Sequence, residues 1–242
     1  MVITKDHLFL AKLCDRVYDD DFLQSREQFI DQTLTDSQCV IIKDPSLDRL
    51  VVCFRGSDSS VDWRMNFHMT MTEYPAKSGS FVHSGLLVRW MSIREEFREK
   101  MKLMIVKYES RIKSVTFCGH SAGTVCCLAA HDFSMITYPN SNVKSDVVTF
   151  GSPRLCDNKF KEIFDVKNSC TRIVLDRDFV TRVPMSAFGY RHLGNAIQIR
   201  GSEVLERDTT TLEATHWFLL GLPNADIGIR DHFIQHYVKA IE

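Results

Sequence analysis

Apolar residues recur along much of the chain at the three- and four-residue steps of amphipathic helices. The clearest case runs from Leu86 to Tyr108, where apolar positions alternate with many charges and predict the longest helix. Leu8 to Val17 shows the same spacing and predicts a first helix. The acidic run Asp19-Asp20-Asp21 places anions at its C-terminal end, so we interpret the run as a solvated turn. A small-residue segment from Thr124 to Phe133 predicts a third helix.

Shorter β-rich runs lie between these helical segments. Two of them flank the polar, turn-forming segment Lys43 to Arg49, which predicts a hairpin. Because the later strands alternate with helices, the sequence predicts an α/β fold with a mostly parallel central sheet flanked by helices. The five predicted strands are Cys39–Ile42, Leu50–Phe54, Ile112–Phe117, Val147–Phe150 and Arg172–Leu175.

Composition supports a globular protein. The 242 residues are 44% hydrophobic and 25% charged, near globular averages, and no Pro/Gly/Ser-rich linker divides them, so we expect a single domain over residues 1–242. The formal net charge of −1 gives no reason to expect nucleic acid as a partner. No run approaches the roughly 18 apolar residues of a membrane-spanning helix, so no transmembrane segment is expected.

Cysteine usage and the first residues bear on location and cofactors. Eight cysteines occur without CxxC spacing, and Asp6 interrupts what would have to be the apolar core of a signal peptide. These features predict reduced thiols and a cytoplasmic location. HExxH, clustered Cys/His spacing and phosphate-binding glycine loops do not occur in the sequence, so we expect neither a metal nor a cofactor.

The segment Gly119-His120-Ser121-Ala122-Gly123 matches G-x-S-x-G. A predicted strand precedes it and a predicted helix follows, which is the setting of a nucleophile elbow. Flanking glycines allow the sharp turn that exposes the serine hydroxyl above the sheet. An incidental glycine-rich turn is the alternative, but this context favours Ser121 as a nucleophile.

Serine needs a histidine base and a carboxylate that orients it. In this fold the acid and the base follow the serine in the chain, in that order. Asp178 and its rival Asp176 both follow the predicted strand ending at Leu175. The order alone does not choose between them, nor among the four downstream histidines, which are His192, His216, His232 and His236.

Five ordered blocks resemble the class 3 lipases, which include fungal triacylglycerol lipases. Each block alone has little specificity for the family, whereas the five blocks in this order are highly specific. Because we expect no signal peptide, the chain resembles the intracellular branch of the family. The blocks are Val51–Ser57 with Asp62-Trp63, Val82–Leu86, the elbow, Thr149–Arg154 and Asp178–Pro184, and Gly189–His192 and Asp231-His232 extend the match.

The resemblance implies an α/β-hydrolase fold and roles for particular residues. It assigns the acid to Asp178, which begins the D-x-V-x-R-x-P block, and favours His232 as the base, with His236 one helical turn further on still open. The backbone N–H groups of Ser57 and Ala122 would form the oxyanion hole. His192 is expected to be a structural loop residue, and His83 and His120 to have packing or hydrogen-bonding roles. Arg55 and Arg154 are expected to brace strands and loops.

The resemblance also places a candidate lid at about 58–67, marked by Asp58, Val61 and Trp63; an ordinary surface helix is the alternative. The apolar segment Trp217 to Pro223 would line the acyl pocket, touch lipid or pack in the core. The chain has Ala122 where the family usually has leucine, which keeps the oxyanion amide but removes side-chain volume beside the acyl site.

Together these features predict a serine carboxylic-ester hydrolase that acts on acylglycerol-type lipids through a Ser-His-Asp triad. The alternatives are a phospholipase A1, a small-ester esterase and a catalytically silent lipid-binding relative, because pocket shape rather than the triad sets selectivity. The expected partners are the glycerolipid substrate and, transiently, a lipid interface. The sequence leaves the oligomeric state open.

Overall fold

The computed structural model of the protein describes residues 2–26, 28–57, 70–75, 79–108, 111–201, 203–205 and 231–242. Ten strands lie in these ranges: β1 (Phe29–Gln32), β2 (Ser37–Lys43), β3 (Arg49–Phe54), β4 (Met71–Glu73), β5 (Phe81–His83), β6 (Ser114–His120), β7 (Lys144–Phe150), β8 (Asn168–Leu175), β9 (Asn195–Arg200) and β10 (Glu203–Leu205).

Eight of these strands form one sheet in the order β1-β2-β3-β6-β7-β8-β9-β10. Neighbours among β3, β6, β7, β8 and β9 pair in parallel, whereas β1, β2 and β10 extend the two edges antiparallel. The predicted hairpin is confirmed, since Cys39 of β2 lies opposite Phe54 of β3. The remaining strands, β4 and β5, form a separate antiparallel pair. The expected mostly parallel central sheet is therefore present.

Six α-helices accompany the sheet in the described part of the chain: α1 (Lys5–Arg16), α2 (Asp20–Gln24), α3 (Ser84–Lys107), α4 (Val125–His131), α5 (Asn158–Asp165) and α6 (Ile234–Ile241). The crossovers between parallel strands use α3, α4 and α5. These three pack on one face, while α1 and α6 pack on the other. Helices on both faces are what a buried parallel sheet requires.

The two-residue period of the strands divides the apolar side chains between two cores. On β3, Val52 and Phe54 belong to the cluster beneath α3 and α4, whereas Val51 and Cys53 belong to the cluster beneath α1 and α6. The long helix α3 contributes Trp90 and other apolar residues of the spacing seen in the sequence to the first cluster. Burial on both faces explains why the central strands read as continuous apolar runs.

One expectation about the N-terminal region is wrong. The acidic run is exposed to solvent, as expected, but it does not form a turn, because Asp19 is the N-cap of α2 and its carboxylate accepts from the amides of Asp21 and Phe22. Asp20 and Asp21 lie in the first turn of α2, where negative charge stabilises the helix. Among the helices of the described residues, none is both long enough and apolar enough to cross a membrane.

Candidate active site

Ser121 lies on a strained turn at the C-terminal end of β6. Its φ is 56°, in the left-handed region that side-chain-bearing residues rarely adopt. A Cβ on Gly119 would lie 2.2 Å from the carbonyl oxygen of Gly123, and a Cβ on Gly123 would lie 2.6 Å from that of Phe54. Both glycines of the motif are thus required by close backbone approach. The turn continues through a 3-10 segment, Ser121–Thr124, into α4, which is the predicted elbow geometry.

His232 and Asp178 form a buried pair. Nδ1 of His232 lies 2.8 Å from Oδ2 of Asp178. The histidine precedes α6, and the aspartate follows the end of β8 by three residues. Because a carboxylate can only accept, the imidazole carries its proton on Nδ1 and leaves Nε2 as the nitrogen that can take a proton.

The carboxylate of Asp178 is held by further donors. The hydroxyl of Tyr237 donates to Oδ2 at 2.5 Å, and the amide of Val180 donates to Oδ1 at 2.8 Å. Asp178 is fully buried, so these donors replace the water that a carboxylate would otherwise bind. Burial raises the pKa of Tyr237 well above its usual value, and the charge of Asp178 raises it further, so the phenol stays protonated and donates.

A second histidine lies against His232. The ring centroids of His120 and His232 are 4.7 Å apart, and Nε2 of His120 donates to the carbonyl oxygen of His232 at 2.6 Å. The hydroxyl of Tyr18 lies 2.8 Å from Nδ1 of His120. Burial holds the pKa of His120 well below its usual value, and the neighbouring His232 lowers it further. His120 is therefore a neutral ring that positions the backbone of His232, as the predicted hydrogen-bonding role requires.

Gly151 makes room for the pair at the end of β7. Its φ is +59°, and a Cβ there would lie 2.8 Å from Oδ2 of Asp178 and 3.0 Å from Nδ1 of His232. Gly151 follows Phe150, the register partner of His120 on β6. His232 thus lies over the carboxyl ends of β6 and β7, beside the residue that precedes Ser121. Open α/β sheets place their functional groups at this edge.

The predicted oxyanion loop lies close to the serine. A Cβ on Gly56 would lie 3.2 Å from Cβ of Ser121, so the segment leading to Ser57 touches the elbow. Arg89 of α3 donates from Nη1 to Oγ of Ser57 at 2.8 Å and also donates to the carbonyl oxygen of Asp36. Ala122 is the second residue of the 3-10 turn, where amides lack intrahelical acceptors.

The rival residues lie elsewhere. Oδ1 of Asp176 accepts from Gln198 and Arg200 on β9, away from the His232 ring. His236 is exposed on α6. His192 donates from Nε2 to the carbonyl oxygen of Thr181 at 2.9 Å, which matches its expected loop role.

The two arginines expected to brace the structure have such contacts. Arg55 is ion-paired with Asp20 at 2.6 Å, and Arg154 donates to the carbonyl oxygens of Arg182 and Pro184. His216, the candidate lid residues Asp58, Val61 and Trp63, and the apolar segment 217–223 lie outside the described residues.

Three positioning residues were not predicted: Tyr18, Arg89 and Tyr237. Tyr18 and Arg89 act on the site across a large sequence separation, so no local pattern indicated them. For Tyr237 the only local signal was its place in the aromatic-containing segment after His232.

Three thiols also come together below the elbow. The Sγ atoms of Cys14, Cys53 and Cys118 all lie within 4.8 Å of one another, and all three residues are fully buried. Thiolates are ligands for soft metal ions; burial raises the pKa of Cys14 and Cys53, whereas at Cys118 burial is outweighed by hydrogen bonds with these two thiols, which lower the pKa to about 5. Motif spacing did not indicate this cluster, because only the pairing of β3 with β6 and the packing of α1 bring its members together.

The sheet order, the helices on both faces and the serine turn at the end of a central parallel strand define the α/β-hydrolase-type fold of lipases. The family model for Lipase (class 3) matches residues 51–188, more than half of the chain. The chain therefore belongs to the class 3 lipase family, as the five ordered sequence blocks had indicated.

Two relatives illustrate what the chain is similar to in sequence. The chain is 30% identical over 151 residues to the chloroplastic phospholipase A(1) DAD1 of Arabidopsis thaliana, an alignment covering 56% of this chain and 33% of the relative. It is 28% identical over 184 residues to the lipase of Rhizomucor miehei, covering 74% of this chain and 50% of the relative. The chain thus spans about a third to a half of the length of these relatives.

Solved structures share the fold. The Rhizomucor miehei lipase in its propeptide complex superposes with a TM-score of 0.72 at 21% identity, covering 86% of this chain and 78% of that one. A triacylglycerol lipase whose catalytic centre is described as a serine protease triad gives a TM-score of 0.68 at 23% identity, covering 80% and 77% of the two chains.

Proposed function

We propose that the protein is a serine carboxylic-ester hydrolase with Ser121 as nucleophile, His232 as base and Asp178 as the orienting acid. The observation that carries this proposal is the buried contact of 2.8 Å between Nδ1 of His232 and Oδ2 of Asp178 beside the strained serine turn. This pairing fixes the imidazole tautomer that a serine nucleophile requires. The intact Ser-Asp-His order along the sequence argues against a catalytically silent lipid-binding relative.

In the proposed reaction, Nε2 of His232 removes the hydroxyl proton of Ser121 while Oγ attacks the ester carbonyl. The backbone amides of Ser57 and Ala122 hold the developing oxyanion. The imidazolium then gives its proton to the leaving alcohol, and water attacks the acyl-enzyme by the same route in reverse. Asp178 stabilises the imidazolium throughout without becoming protonated.

The proposed substrates are acylglycerol-type lipids. Membership of the class 3 lipases supports a lipid ester, and one named relative is a lipase. A phospholipase A1 activity is the second candidate, because the Arabidopsis relative carries that name. A small-ester esterase is the third. The candidate lid and transient contact with a lipid interface remain part of the proposal.

A substrate panel tests the proposal and ranks these candidates. Monoacyl-, diacyl- and triacylglycerols, a diacyl phospholipid and a soluble short-chain ester would be offered at matched acyl length, and released fatty acid would be measured with Ser121→Ala as the blank. Hydrolysis of acylglycerols above the phospholipid rate supports the first candidate. The opposite ranking supports a phospholipase A1, and hydrolysis of the soluble ester alone supports an esterase. No release above the blank on any substrate would contradict the hydrolase itself.

We also propose that the protein works in the reducing cytoplasm. All eight cysteines are free thiols and all are buried, although relatives include secreted lipases. Protein isolated without reductant, unfolded and alkylated should therefore take eight alkyl groups by mass, the number of its cysteines. A lower number that rises to eight after reduction would contradict this location.

A further inference from the structure

A cavity of about 250 Å³ lies against the sheet between β8, β9 and the segment that follows Asp178. Arg172 of β8 and Gln198 of β9 form its floor. Their neighbours Ile173 and Ile197 point to the opposite face and pack in the core beneath α1 and α6. None of the five proposed catalytic and oxyanion residues lines this cavity. It is thus a separate site on the α5 side of the sheet.

Four cationic side chains line the cavity: Arg154, Lys161, Arg172 and Arg191. No aspartate or glutamate occurs among its lining residues within the described ranges. Lys161 also pairs with Asp165 at the helix surface. The Arg154 and Arg172 side chains are buried and donate to backbone carbonyl oxygens, Arg154 to Pro184 and Arg172 to Leu193, both at 2.9 Å. Gathering cations around one void is unfavourable unless an anion offsets their repulsion.

The pKa of His192 is affected by the same positive charges. Burial holds the pKa of His192 well below its usual value, and the nearby guanidinium groups of Arg172 and Arg154 lower it further. Protonation of His192 therefore does not add a fifth charge at neutral pH. The positive charge of the cavity comes from side chains that stay charged, which suits a permanent anion site.

Two buried polar atoms in the cavity wall lack hydrogen-bond partners in the described part of the chain. They are the hydroxyl of Tyr190 and Oε1 of Gln198, on residues that are 1% and 2% exposed. Nε2 of Gln198 is already used, since it donates to Asp176 at 2.7 Å. A buried polar atom without a partner costs free energy, so both atoms favour an occupant that can bind them. The occupant must accept from the phenol and donate to the amide oxygen.

We propose that this cavity binds a phosphate-class oxyanion, either free phosphate or the phosphomonoester of a small molecule or lipid headgroup. A tetrahedral phosphate offers several acceptor oxygens to arginine and lysine donors. Inorganic phosphate keeps a protonated oxygen at neutral pH and so supplies the donor that Oε1 of Gln198 needs, as a phosphomonoester does in its monoanionic form, whereas a carboxylate or sulfate carries no such proton.

The cavity also borders the loop that carries the proposed acid. Thr181 lines it, and the hydroxyl of Thr181 donates to the carbonyl oxygen of Asp178 at 2.8 Å. A bound phosphate would therefore lie behind the Asp178 loop. Phosphate binding at this cavity does not depend on ester hydrolysis, so it can be measured directly.

Titration calorimetry of the full chain at fixed ionic strength would measure the binding of inorganic phosphate, glycerol 3-phosphate and sulfate. We expect one site that prefers phosphate to sulfate. Glycerol 3-phosphate binding more tightly than phosphate supports an esterified ligand, and the reverse supports free phosphate. Absence of saturable binding of both phosphate ligands, or sulfate binding equal to phosphate, would overturn the proposal.

Two variants locate the site. Lys161→Gln removes one charge and should weaken phosphate binding roughly tenfold or more, whereas Lys159→Gln, on the same helix but outside the cavity, should leave it unchanged. Tyr190→Phe removes only the hydroxyl without a partner, so it should weaken binding several-fold without lowering the melting temperature. Phosphate would bind elsewhere if both lysine variants weakened binding equally. The same would follow if neither Tyr190→Phe nor Lys161→Gln changed the affinity for phosphate.

Discussion

The hydroxyl of Tyr237 donates to Oδ2 of Asp178 at 2.5 Å, the same oxygen that faces Nδ1 of His232. The phenol is fully buried, and its oxygen also accepts from the amide of Leu175 at 3.3 Å. Tyr237 therefore ties α6 to the end of β8 through the carboxylate. The helix that follows the proposed base fixes the acid that orients it.

Tyr237→Phe should lower kcat/KM for a soluble short-chain ester about tenfold while KM changes little. Hydrogen bonds to charged groups contribute roughly 1.5–3 kcal/mol, and part of this one acts on catalysis through the orientation of Asp178. Tyr138→Phe, which removes a phenol far from the carboxylate in sequence and fold, serves as the control. If both variants keep the wild-type value, the contact has no catalytic role.

His232→Ala should lower turnover by roughly 10⁴-fold or more, because the serine loses its base. His236→Ala should keep turnover close to wild type, since the His236 side chain is exposed on α6. Steady-state kinetics on both variants, with circular dichroism as the check on folding, separate the two histidines. An inactive, folded His236→Ala protein beside an active His232→Ala protein would move the base to His236.

Gly151→Ala should damage both stability and activity. The left-handed backbone costs roughly 1–2 kcal/mol for alanine, and the new Cβ would displace the His232–Asp178 pair. Because small displacements of reacting groups can cost ~10²-fold in rate, kcat should fall by about that factor. Gly201→Ala is a matched control, since Gly201 has φ +58° but a Cβ there would meet no atom of the described residues within 4 Å. Gly201→Ala should therefore lower stability but leave activity unchanged. Equal activity of the two variants would contradict the steric role of Gly151.

Stability should fall as the pH is lowered from 7 to 5. Burial lowers the pKa of both His83 and His131 to about 4, with Asp132 partly opposing the shift at His131. Between pH 6.5 and 4 the unfolded chain therefore binds protons that the folded chain does not, so the free energy of unfolding decreases with decreasing pH. Urea unfolding at both pH values should show a loss about 2 kcal/mol smaller in His131→Phe than in wild type. Equal losses would mean that His131 is protonated in the folded state.

The sequence predicted the elements whose signal is local. Apolar residues recur at helical spacing over residues 86–108, and this segment forms most of α3. The glycines around Ser121 predicted a turn that only glycine allows. The acidic run was misread because its effect depends on which helix it borders. Asp19 opposes the end of α1 but caps the start of α2.

The site was predictable in part. Residue types and chain order narrowed the acid to Asp176 or Asp178 and the base to four histidines, and the family resemblance then favoured Asp178 and His232. The arrangement of the site residues in three dimensions depends on long-range contacts that the sequence spacing of motifs does not predict. Examples are the contact of the His120 ring with His232 and that of Arg89 with Ser57. The cationic cavity was equally hidden, because its four cationic residues come from separate segments of the chain.

Covalent labelling tests the central claim most directly. A fluorophosphonate probe reacts only with a serine that a neighbouring base activates, so the intact mass of the wild-type protein should rise by one adduct, and peptide mapping should place it on Ser121. Ser121→Ala should show no adduct, and His232→Ala should label far more slowly at equal folded content. A Ser121→Ala protein that takes the adduct at the wild-type rate would contradict the account.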